Sequence, residues 1–474
     1  MSATVIVNRG GEAELLSSSE SSTLRGFPPS QSEEWFKVSH SKKEKEFRKL
    51  LRPTLTLLHF SGFYYGRTPC IKRCGLLVSS LVKFSYFLMA VFFAYLFYLN
   101  VTVTLAYLDI FSDYLHAQTV SSYIGALKPA IAIVYWLCFS ATTSRHEKFI
   151  KAMADTHEEM RKTAGRLSTS ECFLHSGVVR EDEFLKLVHR LHWGVVVLPT
   201  VTATLGMLTI RLGEFFYTGE PMGVFLNDLS LLVVPLLIYF VFLPLAYYEF
   251  ANRIVRHWCG QLRRSIRLNH RAGSAVPLSA FYQQFSSLVE AQARLSDLFN
   301  PWVLVSLAWS LATLCLTIFY VTQNENHFPE RPDDFPTDEE CKTMGVPNWE
   351  VTVSINMLYS GLQVALATLY TLQICFSGTA TNEETRAVLC EVLSCIPENE
   401  TPDDRYSQRQ WGMSAWRAFP LERGTFFTMV SLILTYAFLL LRFRDGQRTI
   451  QQVVSYSGSG RLVVEGATDE TLPK

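Results

Sequence analysis

The chain has 474 residues, of which 49% are hydrophobic and only 18% are charged. A typical soluble domain has about 25% charged residues, and here the apolar residues form long runs instead of amphipathic stripes. The composition therefore excludes an ordinary soluble enzyme and a disordered chain. The 43 basic and 43 acidic residues cancel, so no global basic field exists and no nucleic-acid partner is expected.

Seven stretches are apolar over the ~20 residues that a membrane-spanning helix needs. In chain order, these spans cover residues 84–105, 123–141, 193–212, 226–247, 302–321, 351–376 and 425–443. The sequence thus predicts an all-α membrane protein with seven transmembrane helices that lie in the lipid bilayer.

The distribution of Lys and Arg predicts the orientation of these spans. The segment 1–75 holds 12 of them and the loop 142–192 holds nine, whereas none lies between the first two spans. The positive-inside rule then places the N-terminus in the cytosol and the C-terminus outside, as in a multi-pass plasma-membrane protein. This orientation is the reverse of that of a G-protein-coupled receptor.

Three positions predict helix boundaries on the cytosolic side. Gly273 and Pro277 interrupt the helical pattern of 248–300. The next helix is expected to end at Asn300 and the following span to begin at Pro301, because proline suits the first helical position. Thr381 and Asn382 are expected to cap a separate amphipathic helix over 382–396.

Cysteine and histidine spacing indicates no metal site and no cofactor. Cys70 and Cys74 have no His or Cys companion at the spacing of a zinc site. An inverted seven-span zinc hydrolase stays an alternative, but it requires intramembrane His and Asp ligands, and the histidines here lie mostly in loops. A secondary transporter is a second alternative, although internal repeats or buried charge pairs are not evident.

The last span carries two motifs. Phe419-Pro420-Leu421-Glu422-Arg423 precedes it, and Thr435-Tyr436 is followed by five apolar residues and then Arg442-Phe443. This arrangement resembles the last span of the arthropod gustatory and odorant receptor superfamily, in which Thr-Tyr and five apolar residues precede Gln-Phe. The departure is Arg442, which stands where the family has glutamine.

The resemblance implies a non-enzymatic chemosensory receptor that is itself a ligand-gated, non-selective cation channel. It implies a tetramer, either of one chain or with related subunits, whose central pore is formed by the last helix and conducts cations. The implied partners are a small-molecule tastant or odorant, with sugars among the candidates, and the permeating cations.

Charge and composition predict that residues 1–75 form a cytosolic segment whose first ~35 residues are disordered, and that 444–474 form a disordered extracellular tail. This long tail is a second departure, because many family members end soon after the last span. The resemblance implies that 76–247 form the ligand-pocket bundle with its cytosolic loop 142–192. It also implies that 248–300 and 378–420 supply cytosolic anchor helices, that 301–377 hold spans five and six, and that 421–443 form the pore helix.

The predicted pore residues lie on one stripe of the last helix. Leu432, Thr435, Leu439 and Phe443 recur at i, i+3, i+7 and i+11. By resemblance, Leu439 forms the apolar constriction, with Phe443 one turn further out. Arg442 lies beside the stripe, where it either weakens cation entry or only anchors the helix at the interface.

The predicted ligand-binding residues are polar groups in outer halves of spans. Lys128 and Asp228 face each other across the vestibule in this hypothesis; the alternative is that both are interfacial charges. Asn356, Tyr359 and Gln363 follow helical spacing on span six. Polar groups among aromatic residues suit a polar tastant better than a purely apolar odorant.

Overall fold

The computed structural model describes residues 43–64, 84, 86–95, 97–98, 101–102, 130–168, 181–218, 224–271, 276–323, 339, 349–395, 413–415, 419–424, 427–436, 438–439 and 442. The predictions for Lys128, Phe443, the first ~35 residues and the tail 444–474 lie outside these residues.

Helices make up most of the described chain, and residues 43–50 are helical before the first of the labelled elements. The helices are α1 (Arg52–Phe60), α2 (Tyr86–Tyr95), α3 (Ala130–Ser140), α4 (Thr143–Ser168), α5 (Glu181–Thr218), α6 (Val224–Arg271), α7 (Leu278–Gln323), α8 (Trp349–Ser394) and α9 (Phe427–Tyr436). A short antiparallel hairpin, β1 (Ser414–Ala415) and β2 (Phe419–Pro420), precedes α9 and pairs Ala415 with Phe419.

Three stretches of the described residues are long and apolar enough to cross a membrane. They are Asp182–Leu208 on α5, Leu278–Ile318 on α7 and Val364–Ser394 on α8, judged by length and composition. The shorter apolar helices α2, α3 and α9 lie within predicted spans. The chain is thus an all-α membrane protein, while the count of seven spans stays a prediction.

The long helices pack in a defined register. On α5 and α6, the rings of His192 and Phe250 are 5.4 Å apart and those of Phe184 and Trp258 are 6.0 Å apart, so the two helices run antiparallel. The core between α3, α6, α7 and α8 is aromatic. It includes the fully buried rings of Tyr135, Tyr248, Trp302 and Tyr370.

The predicted helix boundary at Pro301 is wrong. Helix α7 continues through Pro301 without a break. Proline has no N–H, so the carbonyl of Asp297 loses its helical donor. The guanidinium of Arg145, at the start of α4, donates to this carbonyl oxygen at 3.2 Å and takes the place of the missing bond.

The predicted cap at Thr381 and Asn382 is also wrong, because α8 runs through both residues. Both side chains are buried. Their polar atoms bond to other elements instead of to a helix end: the hydroxyl of Thr381 lies 2.8 Å from Asn252 Oδ1 on α6. A buried Asn is compatible with a helix interior when its amide finds such partners.

The predicted break between α6 and α7 is confirmed: α6 ends at Arg271 and α7 begins at Leu278. Asn269 bonds across this break. Its side-chain amide donates to the carbonyl of Val276 and accepts from the amide of Val276, both at 2.9 Å.

The described part of the N-terminal segment packs on the bundle. The ring of Phe47 lies 5.5 Å from that of His157 and 6.4 Å from that of Trp258. Phe63 contacts Phe240 on α6, with ring centroids 5.6 Å apart. Between these contacts, Arg48 bonds to Glu147 and donates to the hydroxyl of Tyr64 at 2.9 Å.

Candidate functional site

The Phe-Pro-Leu-Glu-Arg motif forms the base of the last helix. Phe419 and Pro420 are β2, and the amide of Leu421 donates to the carbonyl of Met413 at 2.9 Å. The Leu421 side chain is fully buried against α8. A Cβ on Gly378 would lie 2.6 Å from Leu421 Cδ1, so this close approach requires glycine on α8.

Asn382 is the polar centre of this joint. Its Oδ1 accepts from the amide of Met413 at 2.6 Å and from Gln292 Nε2 on α7 at 2.9 Å. Its Nδ2 donates to the carbonyls of Met413 at 3.1 Å and Leu421 at 2.9 Å. These four bonds use the full hydrogen-bonding capacity of one amide. One side chain therefore connects α7, α8 and the hairpin.

Two exposed ion pairs flank the buried joint. Arg423 makes two bonds to the Glu383 carboxylate, at 2.6 and 3.0 Å. Arg386 pairs with Glu422. Exposed pairs of this kind contribute little to stability. The buried contacts of Leu421 and Asn382 therefore hold the hairpin on α8.

Helices α6 and α8 run parallel, and their register orders the predicted ligand residues. The hydroxyl of Tyr370 donates to the carbonyl of Val241, and Thr381 bonds to Asn252; both pairs are 129 residues apart. Continued outward along the two helices, this offset places Asp228 level with Asn356 and near Tyr359. Gln363 is one turn further along α8. That these residues form a ligand site stays a prediction.

Much of the last helix is exposed in the part of the chain that the structure describes. Met429 is buried, whereas Leu432, Leu439 and Tyr436 are 39%, 49% and 49% exposed. Thr435 and Arg442 are exposed as well, and the hydroxyl of Thr435 donates to the carbonyl of Ser431 at 2.8 Å. The predicted pore residues that the structure describes thus lie on a helix that a single chain leaves uncovered.

Two largely buried histidines, His146 and His157, lie three turns apart on α4. His146 is fully buried, with its ring 5.4 Å from that of Tyr64 and 5.9 Å from that of Tyr247. Burial lowers the pKa of His146 to about 3 and that of His157 to about 4. Both imidazoles are therefore neutral at physiological pH.

Sequence reasoning missed Asn382 and Gln292 as members of a site. The sequence held one signal that could have indicated a helix interior. The Thr381-Asn382 pair lies between two stretches with helical apolar spacing, and no Gly or Pro follows Gly378 to break the helix there. Such a pair fits a helix interior with satisfied polar groups as well as a cap. In the described ranges, no group of three or more His, Cys, Asp or Glu is placed to hold a metal ion.

Comparisons with known proteins identify relatives over most of the chain. The chain is 31% identical over 383 residues to "Probable G-protein coupled receptor egl-47" of Caenorhabditis elegans, which covers 78% of this chain and 68% of that protein. No family model matches.

Solved structures give a weaker similarity. The olfactory receptor OR5 of the insect Machilis hrabei in complex with eugenol matches with a TM-score of 0.46 and 12% identity, over 86% of this chain and 99% of the receptor. The same receptor without eugenol matches with a TM-score of 0.45 and 11% identity, over 84% and 99%. On its similarity to egl-47 and the motifs at 419–423 and 435–436, the chain belongs to the gustatory and odorant receptor superfamily.

Proposed function

We propose that the chain is a chemosensory receptor that is itself a ligand-gated, non-selective cation channel of the plasma membrane. In this proposal four copies, or copies together with related subunits, surround a pore formed by the last helix. Seven spans place the N-terminus in the cytosol and the C-terminus outside. A small tastant or odorant binds in the outer half of the bundle.

The exposure of α9 is the observation that supports this proposal best. Phe427, Leu434 and Phe438 are 69%, 52% and 66% exposed, and they share the helix with exposed Thr428 and Thr435. An apolar helix that also carries hydroxyl groups is stabilised when several copies of it assemble around an axis. The apolar side chains then pack between subunits and the polar stripe lines shared water.

The domain assignments fit this arrangement. Helices α6, α7 and α8 each continue across the predicted membrane boundaries, near residues 247, 300 and 377. Their cytosolic halves carry ion pairs between helices, including Arg263 with Glu384 and Arg267 with Glu391. We assign these halves to the anchor and the 76–247 bundle to ligand binding.

Ligand-evoked cation flux in a defined membrane tests the proposal. The purified full chain, reconstituted in liposomes without G proteins, is exposed to panels of sugars, bitter compounds and volatiles. We expect at least one compound to evoke cation flux. The matched variant Arg442→Gln carries the family residue. Since four arginines ~8 Å from a cation repel it by about 2 kcal/mol in bulk water, this variant should conduct more.

Signalling through a G protein is a second candidate, and the printed name of egl-47 favours it. The charge distribution opposes it, because the predicted orientation is inverted. A response in cells that disappears when G proteins are blocked, with no flux in liposomes for any compound, would favour this candidate and contradict the channel.

A further inference from the structure

We propose that Asn382 is a positioning residue for the last helix: its side-chain amide is a latch that holds the hairpin before α9 against α8, and release of this latch changes the open probability of the pore. This inference rests on the proposed function, because it concerns how that pore is gated.

The hairpin depends on partners outside itself. Its strands have two residues each, and a two-stranded hairpin of this size is not stable alone. Met413 presents both its amide and its carbonyl to Asn382, as it would to a neighbouring strand. The side chain of Asn382 thus acts as a third strand one residue long, and it is attached to α8.

The contacts around Asn382 differ in kind. The contact of Leu421 with Gly378 is apolar packing, which has no directional preference. The ion pairs Arg423–Glu383 and Arg386–Glu422 are exposed to solvent. The hydroxyl of Thr379 reaches the carbonyl of Leu421 at 3.5 Å, a long bond. The directional, buried restraint on the hairpin is therefore concentrated in one amide, which suits a contact that is either made or broken as a unit.

The variant Asn382→Asp isolates the hydrogen bonds from packing. Aspartate has the same size, but its second carboxylate oxygen would face the carbonyls of Met413 and Leu421, where Nδ2 now donates. The matched control is Thr385→Val on the same helix. Thr385 is also buried and contacts Cys259 on α6 at 3.6 Å, away from the hairpin.

Two readouts separate latch from pore. Hydrogen exchange of the Met413 and Leu421 amides in the purified full chain should be at least ~10-fold faster in Asn382→Asp and unchanged in Thr385→Val. Ligand-independent cation flux in liposomes should rise several-fold in the first variant only. If hydrogen exchange in Asn382→Asp is unchanged, Asn382 is not a latch. If exchange is faster but basal flux and ligand response equal those of the wild type, the latch has no role in gating.

A second pair of variants covers the case in which Asn382→Asp does not fold. Gln292→Met fills similar space but removes only the donor to Asn382 Oδ1, and Thr385→Val is again its control. We expect about two-fold faster exchange and raised basal flux in Gln292→Met alone. Exchange and flux equal to wild type in Gln292→Met would contradict the inference. If none of the compounds evokes cation flux through the wild type, the proposed function and the gating role both fail. Hydrogen exchange still decides whether Asn382 holds the hairpin.

Discussion

Arg145 Nη1 donates to the carbonyl oxygen of Asp297 at 3.2 Å, the carbonyl that Pro301 leaves without a helical donor. This bond joins the first turn of α4 to the middle of α7. It lets a proline lie inside the helix directly before Trp302, whose ring is buried at the centre of the aromatic core.

The Arg145 bond predicts a non-additive pair of substitutions. Arg145→Ala should lower stability by about 1 kcal/mol, the usual net worth of one hydrogen bond. In a Pro301→Ala background an N–H is present at residue 301, so the same substitution should cost less. The apparent melting temperatures of the four detergent-solubilised proteins form a double-mutant cycle. Equal losses in both backgrounds would show that Arg145 does not replace the missing bond.

Acid should destabilise the folded chain through His146 and His157. Burial holds both folded-state pKa values below the unfolded value of 6.5. Between about pH 4 and 6.5 the unfolded chain therefore binds more protons, so stability falls as pH drops below 6.5, by about 1.4 kcal/mol per pH unit for each histidine. The variant His146→Phe should lose less stability between pH 7.5 and 5.0. A wild-type melting temperature independent of pH would contradict this.

Epitope tags test the orientation. The basic segments predict that an N-terminal tag is cytosolic and a C-terminal tag extracellular. In unpermeabilised cells, antibody should stain the C-terminal tag alone, and permeabilisation should reveal the N-terminal one. Staining of the N-terminal tag on intact cells would reverse the topology and remove the channel proposal with it.

Residues at the level of Asp228 should determine ligand sensitivity. Tyr359→Ala and Gln363→Ala remove polar contacts from the proposed pocket, so each should shift the dose response to higher ligand concentration while surface expression stays normal. One lost hydrogen bond corresponds to roughly a three- to tenfold shift. If these two variants, Lys128→Ala and Asp228→Ala all retain wild-type sensitivity, the pocket lies elsewhere.

Leu439 should form the closed constriction. A ring of four leucines closes a pore by excluding water, with no charged plug. Leu439→Ala widens this ring and should raise ligand-independent current at normal surface level. Leu434→Ala is a control on the same helix, since Leu434 is exposed to a similar extent, 52% against 49%, but lies off the predicted stripe. Raised current in both variants would indicate a general loss of packing and not a gate.

The large features of the fold could be predicted because they depend on composition and local pattern. The all-α membrane class, the break between α6 and α7 and the superfamily are confirmed. These conclusions required only apolar run lengths, helix breakers and motif spacing, each readable within a few tens of residues.

Two helix boundaries could not be predicted, because distant residues decide them. Pro301 looks like a helix start until Arg145, far away in the chain, supplies a donor. Asn382 looks like a cap until Gln292, Met413 and Leu421 satisfy its amide. Asparagine favours helix ends because its side chain competes for backbone groups. At Asn382 the backbone it bonds belongs to another segment.

Helix α8 also determines how far a signal must travel. It has 46 residues, which corresponds to about 69 Å from end to end, and no proline interrupts it. Tyr359 and Asn382 lie on this one rod, about 35 Å apart. A ligand that tilts the rod by only about 3° about its outer part would move its inner part sideways by about 2 Å, more than half the length of a hydrogen bond. The helix is a lever arm, and a small rotation at one end is sufficient to break contacts at the other.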